Sequence, residues 1–302
     1  MHYRGILRLR RPLKHGVVQN WDDIEDVWHD VYTNHLKVPA ANLPLLLTET
    51  PGNPLRSREK MIEIAIEGLG VPETCLENTG KLALLSRDIY TGVALDIGDG
   101  VTTAVPIYEG RTLRNAIQRN EDLIDRMHNS IEALLTDRDQ LFRQSATGNI
   151  TRDIKENYLR VGTADPEVYV MPDGSMMVIG VTQVAKCTNH LFGAGIGNGD
   201  DGLDVMICKC IAKCDEQIRD VLRANIVVCG GTSLLPGLVE RLKKELQAKN
   251  KLFNVTSVDT SDRLDQSWIG GAKMCRSFSR SSWINRDLYT EHGSNIVHRY
   301  CF

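Results

Sequence analysis

The stretch from Ala94 to Pro106 has the residue types needed to bind a phosphate group and a metal ion. An apolar run ends at Asp96, a Gly-Asp-Gly turn follows at 98–100, and a second β-rich run comes after it. Such a loop can present backbone N–H groups to an anion and a carboxylate to a divalent cation. An ordinary Asp-Gly hairpin turn has the same pattern, so both interpretations stay open for this stretch alone.

A second glycine-rich stretch, Gly230-Gly231-Thr232, follows an apolar run and precedes a predicted helix. The N-terminus of a helix offers unpaired N–H groups and the positive end of its dipole, so a phosphate or nucleotide can bind there. A tight connection from a strand to a helix has the same pattern, and neither interpretation is favoured over the other.

Lys155 and Glu156 lie in a charged stretch with helical spacing. Their side chains can hydrogen-bond a ribose or a base. A solvated, charged helix face has the same pattern and is the commoner case.

The eight cysteines do not have the spacing of a zinc site or of a disulfide framework. Cys210 and Cys214 share one face of a predicted helix whereas Cys208 does not, so one metal ion could not easily reach all three. We therefore expect packed, reduced thiols, as in the cytosol or nucleus.

Length and composition are those of an ordinary globular protein. The chain has 302 residues, of which 42% are hydrophobic and 25% charged, and its net charge is −3. This length suffices for one large or two medium domains. The small negative charge gives no reason to expect nucleic acid or a membrane surface as a partner. No apolar run reaches the roughly 18 residues that a membrane-spanning helix requires.

Strands that alternate with helices, together with two hairpins, predict an α/β architecture. The hairpins are expected at 90–110 and 167–181. Asn20 is expected to cap one helix and Ser57 a second helix that runs from Arg58 to Leu69. The remaining elements predicted from the pattern are a strand at 43–50, a weak helix at 76–86, and helices at 121–137, 151–159 and 203–222.

Taken together, seven sequence blocks resemble the actin family, in the family's order and at near-family spacing. The resemblance extends from Arg4 to Phe302 and is weakest at about 140–205. The blocks are HGVVQNWDDIEDVWHD, LLLTETPGNPLRSREKM, LDIGDGVTTAVPIYEG, TRDIKENY, CGGTSLLPG, SWIGGAKM and NIVHRYCF.

The resemblance implies an actin-like ATPase fold, in which two related α/β halves flank a cleft that holds ATP or ADP with Mg or Ca. The first, outer half would comprise residues 1–86 and 265–302. The second, inner half would comprise 87–264, with an inserted subdomain at about 121–210.

The resemblance also implies roles for individual residues. Asp96 would bind the metal ion, through water. His15 matches a histidine that is methylated in conventional actins. The second phosphate loop would be Asp96, Gly98, Asp99 and Gly100. The ribose and adenine side of the nucleotide would be contacted by Lys155, Glu156, Gly230, Gly231 and Thr232.

Departures from the family's pattern imply weak or absent ATP binding and hydrolysis. The chain begins after the segment that corresponds to the family's first phosphate loop and small outer subdomain, so it is expected to be truncated relative to the family. Thr79 and Thr103 stand where the family has a water-orienting glutamine and a histidine. Leu235 and Leu264 replace an aromatic residue and a lysine on the base side.

These departures predict an actin-like scaffold protein of the cytoplasm and cytoskeleton, in effect a pseudo-ATPase. It would contact other actins, actin-binding proteins or subunits of a larger assembly, and would form no filaments by itself. One alternative is an ATP-binding, filament-forming actin whose first segment is missing from the sequence. Another is an actin-related subunit of a nuclear chromatin-remodelling complex.

Overall fold

The computed structural model of the chain describes residues 10–136, 147–162, 165–192, 201–256, 262–277 and 282–301. The chain divides into two compact units. Unit 1 combines Met1–Asn78 with Ser277–Phe302, and unit 2 is Thr79–Arg276. The sequence analysis predicts two halves, with boundaries after residues 86 and 264. That division into halves stays a prediction. Parts of the predicted inserted subdomain, 137–146, 163–164 and 193–200, lie outside the described residues.

Strands and helices are numbered in chain order. The strands are β1 (Leu13–Lys14), β2 (Val17–Val18), β3 (Leu45–Glu49), β4 (Glu73–Asn78), β5 (Gly92–Ile97), β6 (Thr102–Tyr108), β7 (Arg111–Thr112), β8 (Gln118–Asn120), β9 (Glu167–Val170), β10 (Met176–Ile179), β11 (Ile226–Cys229), β12 (Val255–Thr256) and β13 (Ile284–Asn285). The α-helices are α1 (Trp21–Asp30), α2 (Leu55–Glu63), α3 (Thr79–Leu85), α4 (Asp122–Thr136), α5 (Thr147–Asn157), α6 (Val181–Thr188), α7 (Leu203–Ala212), α8 (Arg219–Ala224), α9 (Leu238–Lys249), α10 (Gln266–Ser277), α11 (Arg286–His292) and α12 (Val297–Tyr300).

The first helix of unit 1 begins as the sequence predicts. The Asn20 side chain accepts a hydrogen bond from the Asp23 N–H at 3.2 Å, which satisfies one of the helix's unpaired donors. Asp22 and Asp23 lie in the first turn, at the positive end of the dipole. The N-cap prediction is therefore confirmed for α1.

The predicted cap of the second helix is wrong. Ser57 does not cap α2, because the helix begins two residues earlier at Leu55, directly after Pro54. Proline suits the start of a helix, since its fixed φ is helical and its missing N–H is not needed there. The helix continues as a π-helical segment, Ile64–Gly68, and the chain turns at Gly70 with φ of +73°.

The weak helix predicted at 76–86 is also partly wrong. Residues up to Asn78 belong to β4, which lies between β3 and β13 in a three-stranded sheet, and α3 begins only at Thr79. Cys75 and Leu76 are buried in this middle strand. Pairing on both sides decides the conformation here, because local propensity is weak compared with sheet packing.

Unit 2 contains a six-stranded sheet in the order β12-β11-β5-β6-β7, with β8 also paired to β6. The hairpin predicted at 90–110 is confirmed as the antiparallel pair of β5 and β6. β11 runs parallel to β5 and to β12. Both faces of the sheet are covered, since alternating side chains of β5 belong to two different buried apolar clusters.

The helix predicted at 203–222 is divided in two. α7 ends at Ala212 and α8 begins at Arg219. The Arg219 guanidinium donates hydrogen bonds to the Ala212 carbonyl at 2.8 Å and to the Cys214 carbonyl at 2.9 Å. These bonds satisfy carbonyl groups that the end of a helix leaves without partners, which stabilises the break.

The remaining observations concern the second hairpin and the length of the helices. The second hairpin is confirmed as β9 paired with β10. Within the described ranges, no helix is both long and apolar enough to cross a membrane.

Candidate functional site

Asp96 lies near the end of β5, between two neighbouring strands of the unit 2 sheet. Its partner across the antiparallel pair is Thr103, and its partner across the parallel pair is Cys229. The turn that follows is closed by a hydrogen bond from the Gly98 N–H to the Val101 carbonyl at 3.0 Å. The sheet therefore fixes the carboxylate and the turn as one rigid piece.

The two glycine-rich stretches of the sequence meet at this end of the sheet. The Thr232 hydroxyl donates a hydrogen bond to the Gly98 carbonyl at 2.7 Å. Gly230 has a φ of +88°, and a Cβ there would lie 2.4 Å from Asp96 Oδ1 and 2.5 Å from the Ile97 carbonyl oxygen. Only glycine fits such a close approach with this backbone conformation.

The Asp96 carboxyl has an unusual ionisation behaviour. Its burial raises its pKa to about 6, while the Thr79 hydroxyl acts in the opposite direction. A carboxylate that is poorly solvated in this way is stabilised by a nearby cation, because an opposite charge favours the ionised form.

Asp99 is surrounded by cationic side chains from two helices. Lys155 of α5 donates a hydrogen bond to Asp99 Oδ1. His128 Nε2 of α4 lies 3.7 Å from the same oxygen, and an Arg152 guanidinium nitrogen lies 3.9 Å from Oδ2. Arg152 Nε also approaches Glu156 Oε1 at 3.3 Å. Charged groups of both signs thus converge on the turn.

These neighbours keep Asp99 ionised. Burial acts to raise the pKa of its carboxyl, but the hydrogen bond and the charge of Lys155 outweigh burial, so the pKa lies below the ordinary 3.8. His128 and Arg152 contribute in the same direction.

A cavity of about 430 Å³ opens beside this cluster within unit 2. One part of its lining is charged and another is formed by leucine side chains. The lining residues are Asp99, Arg152, Lys155, Glu156, Gly231, Thr232, Leu234, Leu235 and Leu264. This size and mixture of apolar and convergent polar groups are typical of sites for small organic ligands.

Most of the predicted residues lie in or next to this cavity. The lining includes Asp99, Lys155, Glu156, Gly231 and Thr232 from the predicted phosphate, ribose and adenine sides. Gly98 and Gly230 are next in sequence to the lining residues Asp99 and Gly231, and Asp96 Oδ1 lies close to Gly230. Gly100 follows Asp99 in the same turn.

The predicted set leaves out three residues around the cavity. Arg152 is spaced three residues from Lys155 and four from Glu156 on α5, so helical spacing could have found it. Leu234 is next to Leu235 in sequence. His128 has no local signal, because only the packing of α4 against α5 brings it to Asp99.

Thr79 and Thr103, the predicted replacements for water-orienting residues, lie in α3 and β6 of unit 2. Thr103 is buried, and its hydroxyl has no hydrogen-bond partner among the described residues. The Thr79 hydroxyl is also shielded from solvent and affects the pKa of Asp96.

The family model described as Actin matches residues 1–302. The chain belongs to the actin family. Proteins of this family usually bind ATP or ADP with a divalent cation, and they generally interact with other proteins. The α/β fold predicted from the resemblance is confirmed by this match together with the mixed sheets of the structure.

Two further predictions for this actin-family chain concern His15 and the metal ion. His15 lies in unit 1, at the two-residue turn between β1 and β2, where it and Gly16 both have positive φ. Its methylation stays a prediction. In the part of the chain that the structure describes, no group of three or more His, Cys, Asp or Glu side chains could hold a metal ion.

Proposed function

We propose that this chain is a structural member of the actin family that binds an adenine nucleotide weakly in the unit 2 cavity. It hydrolyses ATP slowly or not at all, and it acts through contacts with other actins, actin-binding proteins or subunits of a larger assembly. The Lys155 side chain carries the proposal.

Lys155 is buried and lines the cavity, and its ammonium group donates one hydrogen bond, to Asp99. Its other two N–H bonds have no partner among the described residues. A buried ammonium is costly unless its donors are satisfied, so a ligand with acceptor oxygens would stabilise it. Ribose hydroxyls and phosphate oxygens are such acceptors.

The apolar part of the cavity fits a flat base. Leu234, Leu235 and Leu264 offer alkyl surface, and Gly231 leaves the backbone open because an added Cβ would contact only Leu264 Cδ2, at 3.4 Å. Leucine gives less directional contact than an aromatic ring, which can stack on the base. This difference supports weak rather than tight binding.

Asp96 is the residue that would hold a Mg or Ca ion, through water. A single protein carboxylate suits a cation whose other ligands are phosphate oxygens and water. The ion would supply charge neutralisation at the phosphates, and Asp96 would orient it from the end of β5.

Slow hydrolysis is supported by the buried Thr103. A hydroxyl that is shielded from solvent and has no partner among the described residues cannot orient an attacking water in the cavity. Phosphoryl transfer depends on such positioning. Thr103 therefore supports a nucleotide site with little catalytic power.

Action through protein contacts is supported by the outward face of the hairpin formed by β9 and β10. Four apolar side chains on this face are exposed, and the strand register places them opposite one another in pairs: Val168 with Val178, and Val170 with Met176. Contiguous exposed apolar surface of this kind often marks an interface.

The proposal is tested with the purified full chain, by calorimetric titration with ATP and Mg²⁺ and by single-turnover hydrolysis of ATP. We expect binding at micromolar or weaker affinity and little release of phosphate. Absence of binding at millimolar ATP would reject the nucleotide site. Sustained turnover would instead favour a working, filament-forming ATPase.

The variant Thr103→Val tests the proposed lack of catalysis separately from the proposed nucleotide binding. It removes the hydroxyl and keeps the shape of the side chain, so we expect unchanged ATP binding and unchanged residual hydrolysis. A lower hydrolysis rate with unchanged binding would show that the hydroxyl takes part in the reaction and that the site is catalytic.

A further inference from the structure

Two buried cysteines of unit 1 contact each other. Cys75 lies in the middle strand β4, and Cys301 directly follows α12. The Cys75 side chain is hydrogen-bonded to the Cys301 thiol. Both side chains are thiols and not halves of a disulfide. They come from the two separate chain segments that make up unit 1.

Further donors surround Cys301. The Leu76 N–H donates a hydrogen bond to Cys301 Sγ at 3.3 Å. The Arg58 guanidinium, also buried, donates to the Cys301 carbonyl at 2.6 Å. Backbone N–H groups and cations near a sulfur atom favour the thiolate, which is the reactive form of cysteine.

The ionisation of Cys301 reflects these contacts. The hydrogen bond with Cys75 lowers the pKa of the Cys301 thiol, and the Leu76 N–H and the Arg58 charge act in the same direction. Burial and the charge of Glu77 act to raise the pKa of the Cys301 thiol. In contrast, burial raises the pKa of all the other cysteines for which a shift is resolved, namely Cys187, Cys208, Cys210, Cys214, Cys229 and Cys275.

We propose that Cys75 and Cys301 form a reversible disulfide when the chain is exposed to hydrogen peroxide. Cys301 is the attacking residue, because its sulfur accepts a hydrogen bond from the Leu76 N–H. Cys75 resolves the product, because its side chain is already hydrogen-bonded to that sulfur. Since both residues are buried, the oxidant has to be small, and peroxide is only slightly larger than water.

The oxidation of the two thiols by hydrogen peroxide takes place in two steps. The Cys301 thiolate attacks one peroxide oxygen, the O–O bond breaks, and the other oxygen leaves with a proton as water, which gives a sulfenic acid. The Cys75 sulfur then attacks the Cys301 sulfur, the S–O bond breaks, and the hydroxyl leaves as a second water with the Cys75 proton. Two thiols are oxidised and one peroxide is reduced to two waters.

The disulfide would join the two segments of unit 1 covalently. It would link the middle strand of the sheet to the end of α12. In sequence, all of unit 2 lies between these two positions. A cross-link between residues so distant in the chain stabilises mainly by restricting the unfolded state. The proposal is independent of nucleotide binding, since all its residues lie in unit 1.

The test uses the full chain, treated with hydrogen peroxide and then with an alkylating reagent, and analysed by peptide mass mapping without reduction. We expect a cross-linked peptide that contains Cys75 and Cys301 and that disappears after treatment with dithiothreitol. We also expect the midpoint of thermal unfolding to rise by about 5 °C on oxidation and to return on reduction.

Three variants serve as comparisons. Cys75→Ser should leave Cys301 oxidised to sulfenic or sulfinic acid without a cross-link, and Cys301→Ser should leave Cys75 reduced. Cys275→Ser removes an exposed cysteine and should change nothing. The proposal is overturned if the wild-type chain keeps both thiols reduced at peroxide levels that oxidise Cys275, or if the cross-link involves Cys275. Peptide mapping of the wild type decides this even if a variant fails to fold.

Discussion

Each unit of the chain contains an ion pair with one deeply buried cation, and the two pairs differ in their surroundings. In unit 1, Arg58 Nε donates to both carboxylate oxygens of Glu49 at 2.9 Å, and the side chains are only 4% and 9% exposed. The same guanidinium donates to the Cys301 carbonyl. This pair is closed, and its hydrogen bonds hold α2, β3 and the segment after α12 together.

In unit 2, the Lys155 side chain is 6% exposed but its partner Asp99 is 41% exposed and lines the cavity. Lys155 retains donors without a partner among the described residues, and Arg152 and His128 lie nearby. The closed pair suits a structural role, because it is complete without a ligand. The open pair suits a binding role, because an acceptor from outside would complete it.

The largest expected effect comes from breaking the closed pair. Arg58→Met leaves the buried Glu49 carboxylate without its cation and should lower the free energy of unfolding by about 3–5 kcal/mol. Chemical denaturation of the wild type and the variant at neutral pH measures the difference.

The double variant Arg58→Met/Glu49→Met is the control for this effect. It removes both charges and fills the same space with apolar side chains, so it should recover most of the lost stability. If the single variant costs less than about 1 kcal/mol, the pair behaves like a surface ion pair and the comparison fails.

The second expected effect concerns the close packing of Gly230 against Asp96 in unit 2. Gly230→Ala places a Cβ against Asp96 Oδ1 and the Ile97 carbonyl, at a φ of +88°. We expect a loss of about 2 kcal/mol or more in the free energy of unfolding, because backbone atoms have to move. The measurement is again denaturant unfolding.

Gly231→Ala is the matched control, one residue further along the loop. Its Cβ would meet only Leu264 Cδ2 at 3.4 Å, and its φ is not in the left-handed region. Its stability should therefore change little. Equal losses for the two variants would mean that the strand-end contacts of Gly230 are not what hold the loop.

Local patterns in the sequence predict part of this site. The hairpin around Asp96 and the stretch at Gly230 follow from turn residues between β-rich runs, which are short-range signals. The Asn20 cap of α1 follows from a signal of the same kind. Family resemblance, rather than spacing, pointed to Lys155 and Glu156 as partners of these loops.

The parts of the fold and of the site that local patterns do not predict depend on contacts between distant segments. The sequence pattern predicts helix for residues 76–78, the end of β4, because the position of β4 between two strands is not visible locally. The pairing of Arg58 with Glu49 and the contact of Cys75 with Cys301 are likewise set by packing. His128 reaches Asp99 only through the packing of two helices, so no pattern within α4 could indicate it.

The third prediction tests whether the open pair binds a ligand. If the proposed nucleotide site is correct, Lys155→Met should weaken ATP binding about 10- to 100-fold, since a charge-assisted hydrogen bond contributes about 1.5–3 kcal/mol. Calorimetric titration of wild type and variant measures this. The stability of the variant should fall by no more than about 1 kcal/mol, because Asp99 remains partly solvated.

Lys249→Met provides a control within unit 2. Lys249 pairs with Asp204 at 2.7 Å and does not line the cavity, so its removal should leave ATP affinity unchanged. A loss of stability for Lys155→Met as large as that for Arg58→Met would show that both pairs are structural and that the distinction between them is wrong.

The smallest effect is a pH dependence in the open pair, measured by comparing wild type with Asp99→Asn. The pKa of Asp99 is below the ordinary 3.8 in the folded chain, so its ionised form contributes stability that is fully present above 3.8. That contribution is lost as the pH falls through the lower, folded-state pKa. The charges of Lys155, His128 and Arg152 favour the ionised carboxylate of Asp99.

The difference in stability between wild type and Asp99→Asn should therefore be constant from pH 7 to about pH 5 and shrink as the pH falls below 3.8. It should also be smaller in high salt, because the carboxylate is partly exposed and its charge is screened. A difference that grows on acidification would mean that the folded chain favours protonated Asp99. The cations around it would then not hold the carboxylate in its ionised state, and the open pair would lose the charge pattern on which its binding role depends.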